Sequence, residues 1–76
     1  MKFKLFKILI IEDDPVYEKI ISHILENTGQ NIQILKSNNG FDALELLQKE
    51  TPDLILTDWE MPKMSGIEFC NKIYIL

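Results

Sequence analysis

Apolar and polar positions alternate between two periods along this chain. Leu5 to Ile11 is nearly all apolar and β-rich, which predicts a strand buried on both faces. Asp14-Pro15 then supplies an N-cap followed by proline at the first helical position. Behind it Val16, Ile20, Ile24 and Tyr17, Ile21, Leu25 recur at i, i+4 spacing, so the pattern predicts a helix with a broad apolar face toward the core. Gly29 is its natural stop. Asn31 to Leu35, with Ile32 and Ile34 alternating against polar neighbours, predicts a short edge-like strand. Asn38-Asn39-Gly40 marks a turn and cap, and Phe41 to Lys49 carries Phe41, Ala43, Leu44 and Leu47 at helical spacing. Thr51-Pro52 ends that helix, and Asp53 opens a third strand, Leu54 to Thr57. Ser65-Gly66-Ile67-Glu68 has the spacing of a capping box, opening a helix that takes Ile67, Cys70 and Ile73 to the core.

The order is therefore β-α-β-α-β-α with short connections. Such an order folds as a parallel sheet with right-handed crossovers and helices on both faces. No repeat, linker or low-complexity tract interrupts it.

Composition narrows the classes. With 76 residues the chain is one small domain, and at 46% hydrophobic and 26% charged it is an ordinary folding composition. A domain of this size buries only about 60% of its unfolded surface, which predicts marginal stability. The net charge is −4 and all eight cations are lysines, so neither a basic surface nor an arginine clamp for nucleic acid is present. The amino-terminal MKFKLFKILII imitates a secretory leader, but Lys7 interrupts it and Glu12-Asp13-Asp14 follow in place of small cleavage-site residues. No stretch reaches the ~20 apolar residues of a membrane span, and a cytoplasmic protein is expected. Cys70 is the single cysteine, in an apolar stretch, and reads as a small buried hydrophobe.

The candidate chemistry lies at the strand ends. Ligands of an open parallel sheet bind outside its carboxyl edge. Glu12-Asp13-Asp14 follow the first strand there and Asp58 follows the third. If those strands are neighbours, Glu12, Asp13 and Asp58 converge, an arrangement that like-charge repulsion disfavours unless a cation sits between them. A hard divalent ion with oxygen ligands, magnesium in particular, suits such a set. Any one of these acids could equally be a solvated loop residue, and Asp14 reads as a helix cap alone. His23 has no second ligand near it in sequence, Lys63 reads as a solvated cation, Trp59 as packing or a platform beside the site, and Met61 and Met64 as core or loop anchors.

Taken together, ILIIEDDP, NGFDALELL, PDLILTD and MPKMSGIEF resemble the receiver domains of two-component response regulators, in order and at the family's spacing from about Lys7 to Lys72. The resemblance implies the first three β-α units of a flavodoxin-like doubly wound α/β fold, with strand order 2-1-3 and three helices. It implies that Asp58 is the phosphoacceptor, taking a phosphoryl group from a sensor histidine kinase or a phosphotransfer protein. Mg²⁺ would be held by Asp13 and Asp58, by the Glu60 backbone carbonyl, and by Glu12 through a water. Pro62, Ser65 and Gly66 would support the loop. It further implies a signalling domain rather than an enzyme; from the charge and the lack of a long apolar span, no contact to nucleic acid or membrane is expected. A complete receiver continues through fourth and fifth β-α units. No residue of residues 1–76 matches the family's phosphate-contacting Ser/Thr or its catalytic Lys, so the chain is expected to be an incomplete receiver with an exposed third-strand edge prone to self-association. Two other classes compete: a non-phosphorylated binding or decoy module, and a phosphatase of the haloacid-dehalogenase type. The latter needs D-x-D after the first strand, where this chain has Glu-Asp-Asp-Pro.

Overall fold

The computed structural model describes residues 5–29, 31–57, 64 and 68. Strand β1 (Phe6–Ile11) leads to helix α1 (Pro15–Glu26), strand β2 (Ile32–Ser37), helix α2 (Gly40–Leu46) and strand β3 (Leu54–Thr57). The three strands form a parallel sheet in the order β2-β1-β3. This is the α/β arrangement expected from the strand and helix periods. The third helix and its Ser65 cap lie outside the described residues, apart from Glu68, which is helical and exposed.

Central β1 is nearly sealed: Ile8, Leu9, Ile10 and Ile11 are each 3% exposed or less. A strand with hydrogen-bonded neighbours on both edges and a helix over each face needs an apolar stretch, which Ile8 to Ile11 supply. Right-handed crossovers account for the two faces. The β1-α1-β2 step moves one way along the sheet and the β2-α2-β3 step moves back across β1, so the helices fall on opposite sides. Leu9 and Ile11 pack with Ala43 and Met64, backed by Leu35, Leu44, Leu47 and Ile55. Ile8 and Ile10 alternate to the α1 side.

Local chemistry sets the ends of these elements. Asp14 Oδ1 accepts from the Val16 amide at 2.9 Å, with Pro15 at the first helical position. At the far end Asn27 Nδ2 donates to the His23 carbonyl at 2.8 Å, and Gly29 turns the chain with φ +77°, a left-handed conformation that favours glycine. Asn39 caps α2 twice over. Its Oδ1 accepts from the Asp42 amide at 2.9 Å, while its Nδ2 donates to Asp42 Oδ2 at 3.1 Å. Strand β3 is pinned to β1 at its start. The Lys7 amide donates to Asp53 Oδ2 and the Asp53 amide donates to the Lys7 carbonyl, each at 2.8 Å.

Three expectations are corrected. Strand β2 runs to Ser37 rather than Leu35, because β1 continues to offer partners: Ile10 pairs with Lys36 and Ile11 with Ser37. Helix α2 begins at Gly40 and ends at Leu46. Beyond it the helical pattern tightens into i→i−3 bonds, Gln48 to Glu45 and Lys49 to Leu46. The broad apolar face of α1 is only partly buried. Ile21 and Leu25 are half-buried and Ser22 is buried, whereas Val16, Tyr17, Ile20 and Ile24 are exposed. A helix has one line of closest approach to a sheet, and the stripe on α1 is wider than that line.

Candidate functional site at the carboxyl edge

The carboxyl ends of β1 and β3 lie at one edge of the sheet, and Glu12 and Asp13 follow β1 there. Ile11 and Thr57, the last residues of β1 and β3, stand opposite each other in the parallel register. Glu12 follows β1 from this level, and Asp58 is the next residue in sequence after Thr57. Asp58 itself, together with Glu60, Pro62, Ser65 and Gly66, lies outside the described residues.

On the described side, Glu12 is held by its backbone, its amide donating to the Ser37 carbonyl at 3.0 Å. Its carboxylate turns toward α1, where Oε1 accepts from the Asp14 amide at 3.2 Å. Glu12 and Asp14 thus take consecutive places at the positive end of α1, a favourable location for carboxylates. Asp14 is the cap its spacing suggested. Asp13, between them, is exposed.

Two open clefts share Glu12 and Asp13. One, of about 450 Å³, continues over Asp14, Tyr17 and Ile21. The other, of about 390 Å³, continues to Glu18, Lys36 and Ser37. Among the described residues no three acidic, imidazole or thiolate side chains come together as a complete cation site. The donor set is nevertheless of the right kind. Glu12 and Asp13 offer hard carboxylate oxygens beside open space that water can fill, which suits a small divalent ion keeping part of its hydration.

Lys36 and its partner Glu18 were missed by sequence reasoning. Lys36 Nζ lies 2.8 Å from Glu18 Oε1, and that hydrogen bond and charge raise the Lys36 pKa above its ordinary value of 10.5. The signal was available: Ile32, Ile34 and Lys36 share one period-2 face, so extending β2 by two residues brings Lys36 to the acidic edge. His23 is placed away from this edge, bonded within the C-terminal turn of α1 to Asn27.

This fold and this edge can be compared with known proteins. The profile of the response regulator receiver domain family matches residues 8–75. The chain belongs to that family. The receiver is 36% identical over 66 residues to protein-glutamate methylesterase/protein-glutamine glutaminase 3 of Hahella chejuensis, covering 87% of this chain and 19% of that protein. It is 36% identical over 70 residues to chemotaxis protein CheY-3 of Vibrio cholerae, covering 92% of this chain and 53% of the relative. Among solved structures, the signal receiver domain of a signal transduction histidine kinase from Syntrophus aciditrophicus superposes with a TM-score of 0.80. There the identity is 37%, over 93% of this chain and 52% of the other. The receiver thus spans about a fifth of the first relative and about half of the other two. Receivers are the signalling domains of two-component systems rather than enzymes in the ordinary sense. No helix among the described residues is long and apolar enough to cross a membrane.

Proposed function

We propose that this receiver accepts a phosphoryl group on Asp58 from the phosphohistidine of a sensor histidine kinase or a phosphotransfer protein, in a Mg²⁺-dependent reaction. The observation that carries the reading is the register of β1 with β3, Ile11 opposite Thr57, since Glu12-Asp13 and Asp58 follow those two strand ends in sequence.

In the transfer an Asp58 carboxylate oxygen attacks phosphorus, the P–N bond breaks, and the neutral imidazole leaves once it has taken up a proton. Asp13 and Asp58 hold the metal directly, with the Glu60 carbonyl as main-chain ligand and Glu12 acting through a water. Bound Mg²⁺ supplies charge neutralisation, of the acids and of the phosphoryl oxygens alike. Glu12 suits an indirect role, since its carboxylate already accepts the Asp14 amide. Pro62, Ser65 and Gly66 support the segment after Asp58. Side-chain identity at Glu60 is then immaterial to the metal.

The same reading places the protein in the cytoplasm, away from nucleic acid and membrane. A second copy can add along β3, which among the described residues pairs only with β1 and exposes Leu54.

Incubation with Mg²⁺ and a small acyl phosphate, read by intact mass, tests the proposal. A gain of one phosphoryl group is expected, lost on adding a chelator and absent in Asp58→Asn. An unchanged mass in the wild-type chain overturns it and favours the non-phosphorylated binding module.

A further inference from the structure

Two opposite charges are locked together in the cleft of about 390 Å³ that Glu12 and Asp13 line. Lys36 Nζ, from the end of β2, lies 2.8 Å from Glu18 Oε1, on the first turn of α1. Ser22 Oγ donates to the same oxygen at 3.4 Å. The partners differ in setting, for the Glu18 side chain is 16% exposed and that of Lys36 53%. The carboxylate is the fixed member and the ammonium is tethered to it. Because the two cancel, the pair adds no net charge to the cleft, although Glu18 is one of three carboxylates lining it.

We propose that the Glu18–Lys36 pair sets the affinity of this cleft for a divalent cation. The inference rests on the cation site proposed above and adds two positioning residues that are not ligands. Removing the lysine leaves Glu18 without its ammonium partner and deepens the negative potential where the metal binds. Removing Glu18 releases an ammonium into the same cleft, where it repels the metal and pairs with Glu12 or Asp13 in its place. The two changes therefore act with opposite sign, and both weaken as salt screens them. A merely structural tie between α1 and β2 behaves differently, since breaking it from either side loosens the same contact.

The test is a titration of the whole chain with Mg²⁺ alone, read by calorimetry, at low and at raised ionic strength. Lys36→Gln is expected to lower Kd about threefold and Glu18→Gln to raise it about threefold, the size of a partly screened surface charge effect. The double variant is expected to return near the wild-type value, and Lys36→Arg to stay there. Equal Kd values in all variants, or a shift in the same direction from both single changes, overturn the inference. Asp13→Asn separates the two levels. Mg²⁺ binding that survives Asp13→Asn removes the proposed site and the inference with it. Binding that depends on Asp13 but ignores Glu18 and Lys36 leaves the site standing and removes only the role of the pair.

Discussion

The two faces of the sheet begin from the same strand and end differently. Toward α2, Leu9 and Ile11 meet Ala43 and Met64, with Leu35 and Ile55 beside them, in one continuous core. Toward α1, Ile8 and Ile10 are equally buried, but around them Phe6, Val16, Tyr17, Ile20, Ile24 and Leu54 stay exposed. Alternation along β1 treats both faces alike. What separates them is the fit of the cover: the α2 face closes through small residues at the contact, Gly40 and Ala43, whereas α1 carries bulky side chains over a wider arc than the sheet receives. Apolar residues are buried only where a matching surface exists, and a patch of this kind is where association begins.

Deletion of core volume gives the largest expected contrast. Leu9→Ala should cost about 3 kcal/mol in urea unfolding, near the whole stability of so small a domain, whereas Ile20→Ala should cost less than about 0.5 kcal/mol. Comparable losses from both would show that the α1 face is closed in solution by another surface, and dilution would then reveal it.

Next in size is the close approach on the α2 face. A Cβ added at Gly40 would lie 2.6 Å from Met64 Sδ and 3.0 Å from Met64 Cβ. Glycine to alanine in a helix ordinarily gains about 1 kcal/mol. Here Gly40→Ala should lose about 1–2 kcal/mol through overpacking, and in a Met64→Ala background the same change should become neutral or favourable. A gain in the wild-type background would mean that Met64 does not rest on α2.

The caps offer a smaller contrast. Asn39→Ala, which removes two hydrogen bonds to Asp42 beside the closed face, should lower stability by about 1 kcal/mol. Asp14→Ala, capping the open-faced helix with one exposed bond, should lose less, about 0.5 kcal/mol. Equal losses would mean that burial of the cap adds nothing.

The smallest effect concerns the Glu18–Lys36 tie of α1 to β2. Its lysine has a pKa raised above 10.5 by the Glu18 hydrogen bond and charge. The stabilisation is therefore complete below that value and is lost as pH rises through the folded-state pKa. Alkaline melts of wild type and Lys36→Gln should converge above it. A difference that persists once Lys36 is neutral would assign the contact to packing of its stem.

How much of this was legible beforehand differs by element. Strand β1 could be read from its apolar run, and α1 and α2 from their caps and spacing. These are local features, encoded over a few neighbouring residues. Of the candidate site, the sequence pointed to Glu12 and Asp13, which line both clefts, and to Asp58, which lies outside the described residues.

Other features depended on partners distant in sequence. That β2 reaches Ser37 was decided by the length of β1, since a strand continues only while a neighbour offers hydrogen bonds. That α1 turns Ser22 inward and leaves Ile20 and Ile24 outside was decided by the line on which helix meets sheet. Lys36 met Glu18 only because the first crossover laid α1 over the β2 edge. By itself the sequence determined the periods, the caps and the family. The tertiary structure decided which apolar residues found cover and which charges became neighbours, because burial and charge pairing depend on surfaces that local pattern does not contain.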